Sequence, residues 1–216
     1  MSQPHALKPV RISAPAARPV SVEEARAQPS VGSSADSELV EALIEAATAE
    51  LDGWSGHLGR CLVTQSWRFD FAGFPCASRL RLPLGDLQSL AVTYVDPDGA
   101  TQTLSSSLYR AVTDALGPFV ELFSGASWPA TASRSDAVRV EAVLGYGAAE
   151  AVPAPICRAI LLRVGQLYNL VSRDVALKKR VVEGVGSREW DVAGAATLVT
   201  DRAIASLLSG YRRIPL

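Results

Sequence analysis

The sequence predicts an α+β fold: a bundle of about three main helices, an antiparallel β block inserted over roughly residues 62–145, and a C-terminal amphipathic helix with a tail. Three observations predict it. Apolar residues recur every three or four positions over 36–54 and 153–173, the period of one helix face. From Leu62 the period falls to two, that of a half-buried strand. Turn-formers, Asp96-Pro-Asp-Gly99 above all, cut that stretch into about six segments, and strands grouped between helices point to α+β.

Residues 1–20 make an arm with Pro4, Pro9, Pro15 and Pro19, which on its own should be extended or disordered. Residues 21–216 are expected to form a single domain, with a helical frame over 21–58 and 153–216 around the insertion. Ser21-Val-Glu-Glu24 has capping-box spacing, so a short helix begins there and stops near Pro29. The polar linker VGSSADS follows. Over 36–54, Leu39, Leu43, Ala47 and Leu51 fall at four-residue steps, with Val40, Ile44 and Trp54 beside them. Asp36, Glu38 and Glu41 favour the positive helix end, and Gly53, Gly56 and Gly59 end the helix.

In the insertion, Val63, Gln65, Trp67, Phe69 and Phe71 alternate with Thr64, Ser66, Arg68 and Asp70. Leu80 and Leu82 alternate with Arg79 and Arg81. Leu90, Val92 and Tyr94 form a strand that returns through the 96–99 turn to Thr101–Leu104. Shorter strands over 109–113 and 119–123 flank Gly117-Pro118, and Val138, Val140 and Ala142 complete the set.

The 153–173 stretch reads as the central buried helix. Pro155 suits its first turn. Ile156, Ile160, Val164, Leu167, Tyr168 and Val171 make one wide stripe, extended by Cys157, Leu161, Leu162 and Leu170. Arg158, Arg163 and Arg173 leave a basic edge, and the helix is too short and too charged to span a bilayer. Residues 176–191, with Lys178, Lys179, Arg180 and Arg188 around Gly184 and Gly186, read as an exposed loop or loose hairpin. The last helix is expected from about Asp201, capped by Thr200, with Ile204, Leu207, Leu208 and Tyr211 on its apolar face and Gly210 at its end. Arg212, Arg213, Ile214, Pro215 and Leu216 form the tail.

Net charge over the 216 residues is −1, which argues against a general nucleic-acid binder. The charge is uneven: residues 1–155 hold 11 basic and 17 acidic groups, residues 156–216 hold 10 and 5. Such polarity suits head-to-tail contact between copies or a partner at one end. Cys61, Cys76 and Cys157 form no C-x-x-C pair and fit a reducing compartment. The first 20 residues lack a signal-peptide core, so a soluble protein made in a cytoplasm is expected.

Catalytic chemistry is not legible. His5 and His57 are the two histidines, too few for a convincing triad. His57 and Cys61 lack further metal ligands, Asp96–Gly99 lacks the later ligands of a calcium loop, and Gly145-Tyr-Gly147 lacks the third glycine of a dinucleotide fingerprint. Glu38, Glu41 and Glu45 read as a solvated helix face. No catalytic residue, metal site or cofactor is expected. Two rival readings are a nucleic-acid-binding module using the basic C-terminal half, and an enzyme using Cys61 or Cys157 as nucleophile.

The order of features resembles the head–tail connector (adaptor, or head-completion) proteins of long-tailed phages and phage-like gene transfer agents. The elements that carry the resemblance are SVEEARA, ELVEALIEAATAELDGWSGH, LVTQSWRFDFAGFP, LRLPLGDLQSLAVTYVDPDGATQTL, Tyr109-Arg110, FSGASWPAT, DAVRVEAVLGYG with VPAPICRAILLRVGQLY, and LLSGYRRIPL. The Pro-rich arm and the basic 174–199 segment are longer than the family pattern. The resemblance implies a non-enzymatic ring, commonly of twelve copies, beneath the portal. Such a ring lengthens the DNA channel, passes DNA without sequence-specific binding, and carries the next tail-connecting protein (a stopper or tail terminator). It implies assembly in a bacterial cytoplasm, a final place in the particle neck, and no membrane. It also implies portal docking through the C-terminal helix and tail, here Leu207, Leu208, Tyr211, Arg212, Arg213, Ile214, Pro215 and Leu216, with Arg212 and Arg213 meeting portal carboxylates. Lys178, Lys179, Arg180 and Arg188 would face the channel or a neighbour. Arg158, Arg163 and Arg173 would meet the acidic Glu38, Glu41 and Glu45 helix of an adjacent subunit.

Overall fold

A computed structural model describes residues 6–172, 179–182, 186–189 and 192–213. Among the described residues, ten strands and four α-helices make the fold α+β. In chain order they are β1 (Val10–Ser13), α1 (Val22–Arg26), α2 (Ser37–Ala49), β2 (Gln65–Phe71), β3 (Arg79–Arg81), β4 (Leu87–Val95), β5 (Thr101–Thr103), β6 (Tyr109–Asp114), β7 (Gly117–Leu122), β8 (Val138–Leu144), α3 (Ala154–Ser172), β9 (Lys179–Val182), β10 (Gly186–Glu189) and α4 (Val192–Leu208). The described residues fall into two compact units. One is spanned by Met1–Ala17, Leu51–Ala151 and Arg212–Leu216, the other by Arg18–Glu50 and Val152–Tyr211.

The first unit holds two antiparallel sheets, ordered β1-β2-β8-β4-β5 and β3-β7-β6. Alternation places Trp67, Phe69 and Phe71 on the same face of β2, opposite Ala142, Val140 and Val138 of β8. Both sheets feed one apolar core, in which Phe69, Phe71, Val92, Val138, Val140 and Leu144 join Leu80, Leu82, Val120 and Leu122. Gln65 occupies a core position of β2 and is 1% exposed. It is tolerated because it is satisfied: its Nε2 donates to Asp52 Oδ2 at 2.9 Å, and its Oε1 accepts from Trp67 Nε1 at 3.1 Å. Asp52 also accepts the Leu62 N–H at 2.7 Å, fixing the loop that enters β2. Gly145-Tyr-Gly147 closes the same end of the β2–β8 pair. Gly145 has φ +128°, and a Cβ there would lie 2.7 Å from the Val63 carbonyl oxygen. That close approach lets Tyr146 N–H reach Leu62 O and Thr64 N–H reach Gly147 O. These glycines therefore serve a strand crossing.

In the helical unit the capping box forms as its spacing predicts: Glu24 N–H donates to Ser21 Oγ at 3.1 Å and Ser21 N–H to Glu24 Oε2 at 2.7 Å. Asp36 caps α2 by accepting the Glu38 N–H. Val40, Leu43, Ile44 and Ala47 of α2 and Ile156, Ala159, Ile160, Leu161 and Val164 of α3 are buried. Gln166 Nε2 of α3 donates to Asp201 Oδ1 of α4 at 3.0 Å.

The structure departs from the sequence reading in two helix bounds and adds pairing detail in two other places. Among the described residues of the Pro-rich arm, the extended β1 pairs with β2, and Leu7 N–H donates to Asp70 O at 2.8 Å. Helix α2 stops at Ala49 instead of reaching Trp54, because Gly53, at φ +75°, turns the chain so that its N–H meets Arg60 O. Helix α4 begins at Val192, nine residues before Asp201, so Thr200 lies inside it and caps nothing. The alanine-rich VAGAATL run outweighs the cost of one glycine, about 1 kcal/mol. Within 176–191, the described residues of β9 and β10 form an antiparallel ladder.

Phe69→Ala empties the middle of the shared sheet core. It is expected to cost about 3–5 kcal/mol of stability, read as a lower midpoint in urea unfolding.

Candidate functional site

The C-terminal segment leaves α4 through a turn in which Tyr211 N–H donates to Leu208 O at 3.0 Å. Leu207, Leu208 and Tyr211 are half-buried and Arg212 is exposed. Arg213 behaves differently from its neighbour. Its backbone N–H donates to Leu58 O at 3.0 Å. Its Nη2 donates to Leu82 O at 2.8 Å and to Leu116 O at 2.9 Å, and its Nε reaches Leu116 O at 3.2 Å. Gly117, at φ +116°, leaves the room: a Cβ there would lie 2.3 Å from Arg213 Nη2. Burial lowers the Arg213 pKa from its ordinary value, and the nearby Arg60 charge adds to the effect. Asp86 lies close by, pairing with Arg60 Nη1 at 2.6 Å, and holds a left-handed backbone, φ +60°. Within the chain, the Arg213 guanidinium is held by backbone carbonyls. Ile214, Pro215 and Leu216 lie outside the described residues.

The residues expected between subunits also have partners within the chain. Arg163 forks onto Glu50, its Nε 2.9 Å from Oε2 and its Nη2 2.9 Å from Oε1. Arg158 Nη1 donates to Gln28 Oε1 at 2.6 Å. Glu41 and Glu45 accept from the two Nη atoms of Arg18, at 2.8 and 2.7 Å. Glu38 is exposed. Arg173 and Lys178 lie outside the described residues. In the β9–β10 ladder Arg188 stands opposite Arg180, and Lys179 opposite Glu189.

Sequence reasoning missed two features. The exposed face of the three-stranded sheet is an ion-pair lattice. Glu121 bridges Arg79 and Arg110, Arg81 Nη2 meets Asp114 Oδ2 at 2.6 Å, and the Phe119 ring lies 5.1 Å from both the Arg79 and Arg81 guanidinium carbons. The alternation of Arg79, Leu80 and Arg81 was its sequence signal, but the carboxylates come from other strands. In the helical unit, Leu170 and Val171 of α3 and Leu198 and Val199 of α4 are exposed, each by 60% or more. They form an apolar surface of the kind that marks contact with another protein.

No family model and no curated protein matches this chain. Solved structures do. A chain in the virion of a native gene transfer agent particle matches with TM-score 0.67 and 16% identity, over 97% of both chains. A chain in the neck of an empty gene transfer agent particle, computed with C6 symmetry, matches with TM-score 0.66, 18% identity and the same coverage. A third, in the neck of a native particle computed with C12 symmetry, matches with TM-score 0.65 and 16% identity, again over 97% of each chain. This chain has the fold of chains found in gene transfer agent particles.

Cys61 and Cys157 carry little nucleophilic character on that fold. Cys61 is buried, and burial beside Asp52 and Asp86 pushes its thiol pKa far up. Burial likewise raises Cys157, whose Sγ lies 3.5 Å from Pro19 O. Thiolate is the reactive form, so both are poor nucleophiles. Among the described residues no group of three or more His, Cys, Asp or Glu could hold a metal, and no helix is long and apolar enough to cross a membrane. A thiol reagent is expected to modify exposed Cys76 rapidly in the native protein and Cys61 only on unfolding, which peptide mapping after labelling will show.

Arg81 and the Leu116 N–H hold the Asp114 carboxyl at about 2. A depressed carboxylate pKa stabilises the fold above the ordinary carboxylate range, and that contribution is lost as pH falls through about 2. Carboxyl NMR should give an Asp114 midpoint near 2 in the wild-type chain and a rise into the ordinary range in Arg81→Ala.

Proposed function

We propose that this chain is a head–tail connector subunit of a phage or gene transfer agent particle. About twelve copies form a ring beneath the portal, extend the DNA channel, and present a platform to the next tail-connecting protein. The observation that carries this reading is the end-to-end likeness to gene transfer agent chains, 97% of each, two of them in necks computed with C6 or C12 symmetry. The exposed Leu170, Val171, Leu198 and Val199 offer an apolar surface for contact between copies, consistent with a ring. Portal docking is assigned to Leu207, Leu208, Tyr211 and Arg212 together with residues 214–216; an amphipathic helix end laid in a groove is a common recognition mode. The β9–β10 ladder, with Lys179, Arg180 and Arg188, is assigned to the channel or a neighbouring copy.

A chain that ends at Arg213 and carries Arg212→Glu should fold normally by circular dichroism but fail to join portal-bearing heads. Electron microscopy and mass measurement of the purified chain, alone and mixed with portal, provide the readout. Normal joining by this variant would sink the docking assignment.

A further inference from the structure

Leu82 and Leu116, from two separate loops of the β unit, aim carbonyl oxygens at the Arg213 guanidinium, and Leu58 O accepts the Arg213 backbone N–H. A planar guanidinium suits this geometry because it donates in several fixed directions at once, which an ammonium cannot do. The socket also holds spare hydrogen-bonding capacity. Arg213 Nη1 is a buried donor and Asp86 Oδ2 a buried acceptor, and neither has a hydrogen-bond partner. Asp86 keeps a backbone conformation that costs a non-glycine residue about 1 kcal/mol or more, and Gly145 N–H and Arg60 hold it there. An over-determined cage around a residue near the chain's end is more than a helix stop requires.

We propose that this socket is a guanidinium-recognition site whose ligand is Arg213, and that it stows the C-terminal segment until a partner draws it out. The stowing role rests on the docking assignment above; the recognition site stands without it. Filled by its own chain, the socket lowers the availability of residues 209–213, so docking competes with the four hydrogen bonds that Arg213 makes.

The test uses the full-length chain, Arg213→Ala and Arg213→Lys. Amide exchange over residues 209–213 should be about tenfold or more faster in both variants, the scale of lost hydrogen bonds to a charged group. Methylguanidinium should raise the thermal midpoint of Arg213→Ala but not of the wild-type chain, and methylammonium should raise neither. Arg213→Ala should also associate faster than the wild-type chain with purified portal rings. Unchanged exchange, no rescue, or wild-type behaviour of Arg213→Lys overturns the guanidinium site. Rescue combined with equal or slower association overturns stowing alone. If the wild-type chain does not bind portal, the docking assignment fails and stowing fails with it, while exchange and rescue still decide the socket.

Discussion

The seven residues of β8 are hydrogen-bonded on both sides, to β2 from Gln65–Leu144 through Phe71–Val138 and to β4 from Leu87–Leu144 through Tyr94–Val138. Val138, Val140, Ala142 and Leu144 are almost fully buried, so their backbone groups have no water to turn to. Both flanking strands must be present and in register. A one-residue slip of β2 would turn Trp67, Phe69 and Phe71 away from the core and bring Arg68 and Asp70 into it. The closures at the strand ends prevent that slip. Tyr146 N–H to Leu62 O and Thr64 N–H to Gly147 O lock one end, and Val95 N–H donates to Ala137 O at 2.8 Å at the other. The outer strands add to a frame already determined: β1 and β5 each pair on one side, and β1 carries a register shift between Arg11 and Ser13.

The charge polarity of the sequence does not translate into an equal polarity of the folded surface. The basic C-terminal stretch and the acidic stretch before it neutralise each other in part inside the helical unit, where Arg163 holds Glu50. Arg18 from the arm side meets Glu41 and Glu45, which the sequence reading left as a solvated acidic face. Each of these exposed pairs contributes about 0–1 kcal/mol, so they matter less for stability than for removing charge from the surface. The described helices also expose Leu170, Val171, Leu198 and Val199. Contact between copies through this unit would therefore draw on apolar burial more than on opposite charges.

Features set by neighbouring residues were legible in the sequence. The Ser21–Glu24 box, the Asp36 cap, the alternation of β2 and β8 and the Asp96–Gly99 turn each depend on residues within a few positions, and the structure has all of them. Features set by distant partners were not. Nothing local to Val10–Ser13 says that β2 has a free edge to offer, so prolines dominated the reading of the arm. The start of α4 was missed because VAGAATL has helix propensity without periodicity, and periodicity was the signal in use. Gln65 looked like a polar exception on an apolar face until Asp52, 13 residues earlier, supplied its partner.

Arg212 and Arg213 show the same limit at its sharpest. They are the same residue type, adjacent, in a polar tail, and the sequence gives no reason to separate them. The fold separates them completely: Arg212 is exposed, while Arg213 is surrounded by carbonyls from loops 97 to 155 residues away. A partner meeting this end of the chain with Arg213 seated encounters one exposed guanidinium, not two. Charge complementarity there is half of what the dipeptide suggests, and the apolar flank of Leu207, Leu208 and Tyr211 must supply correspondingly more of any binding energy.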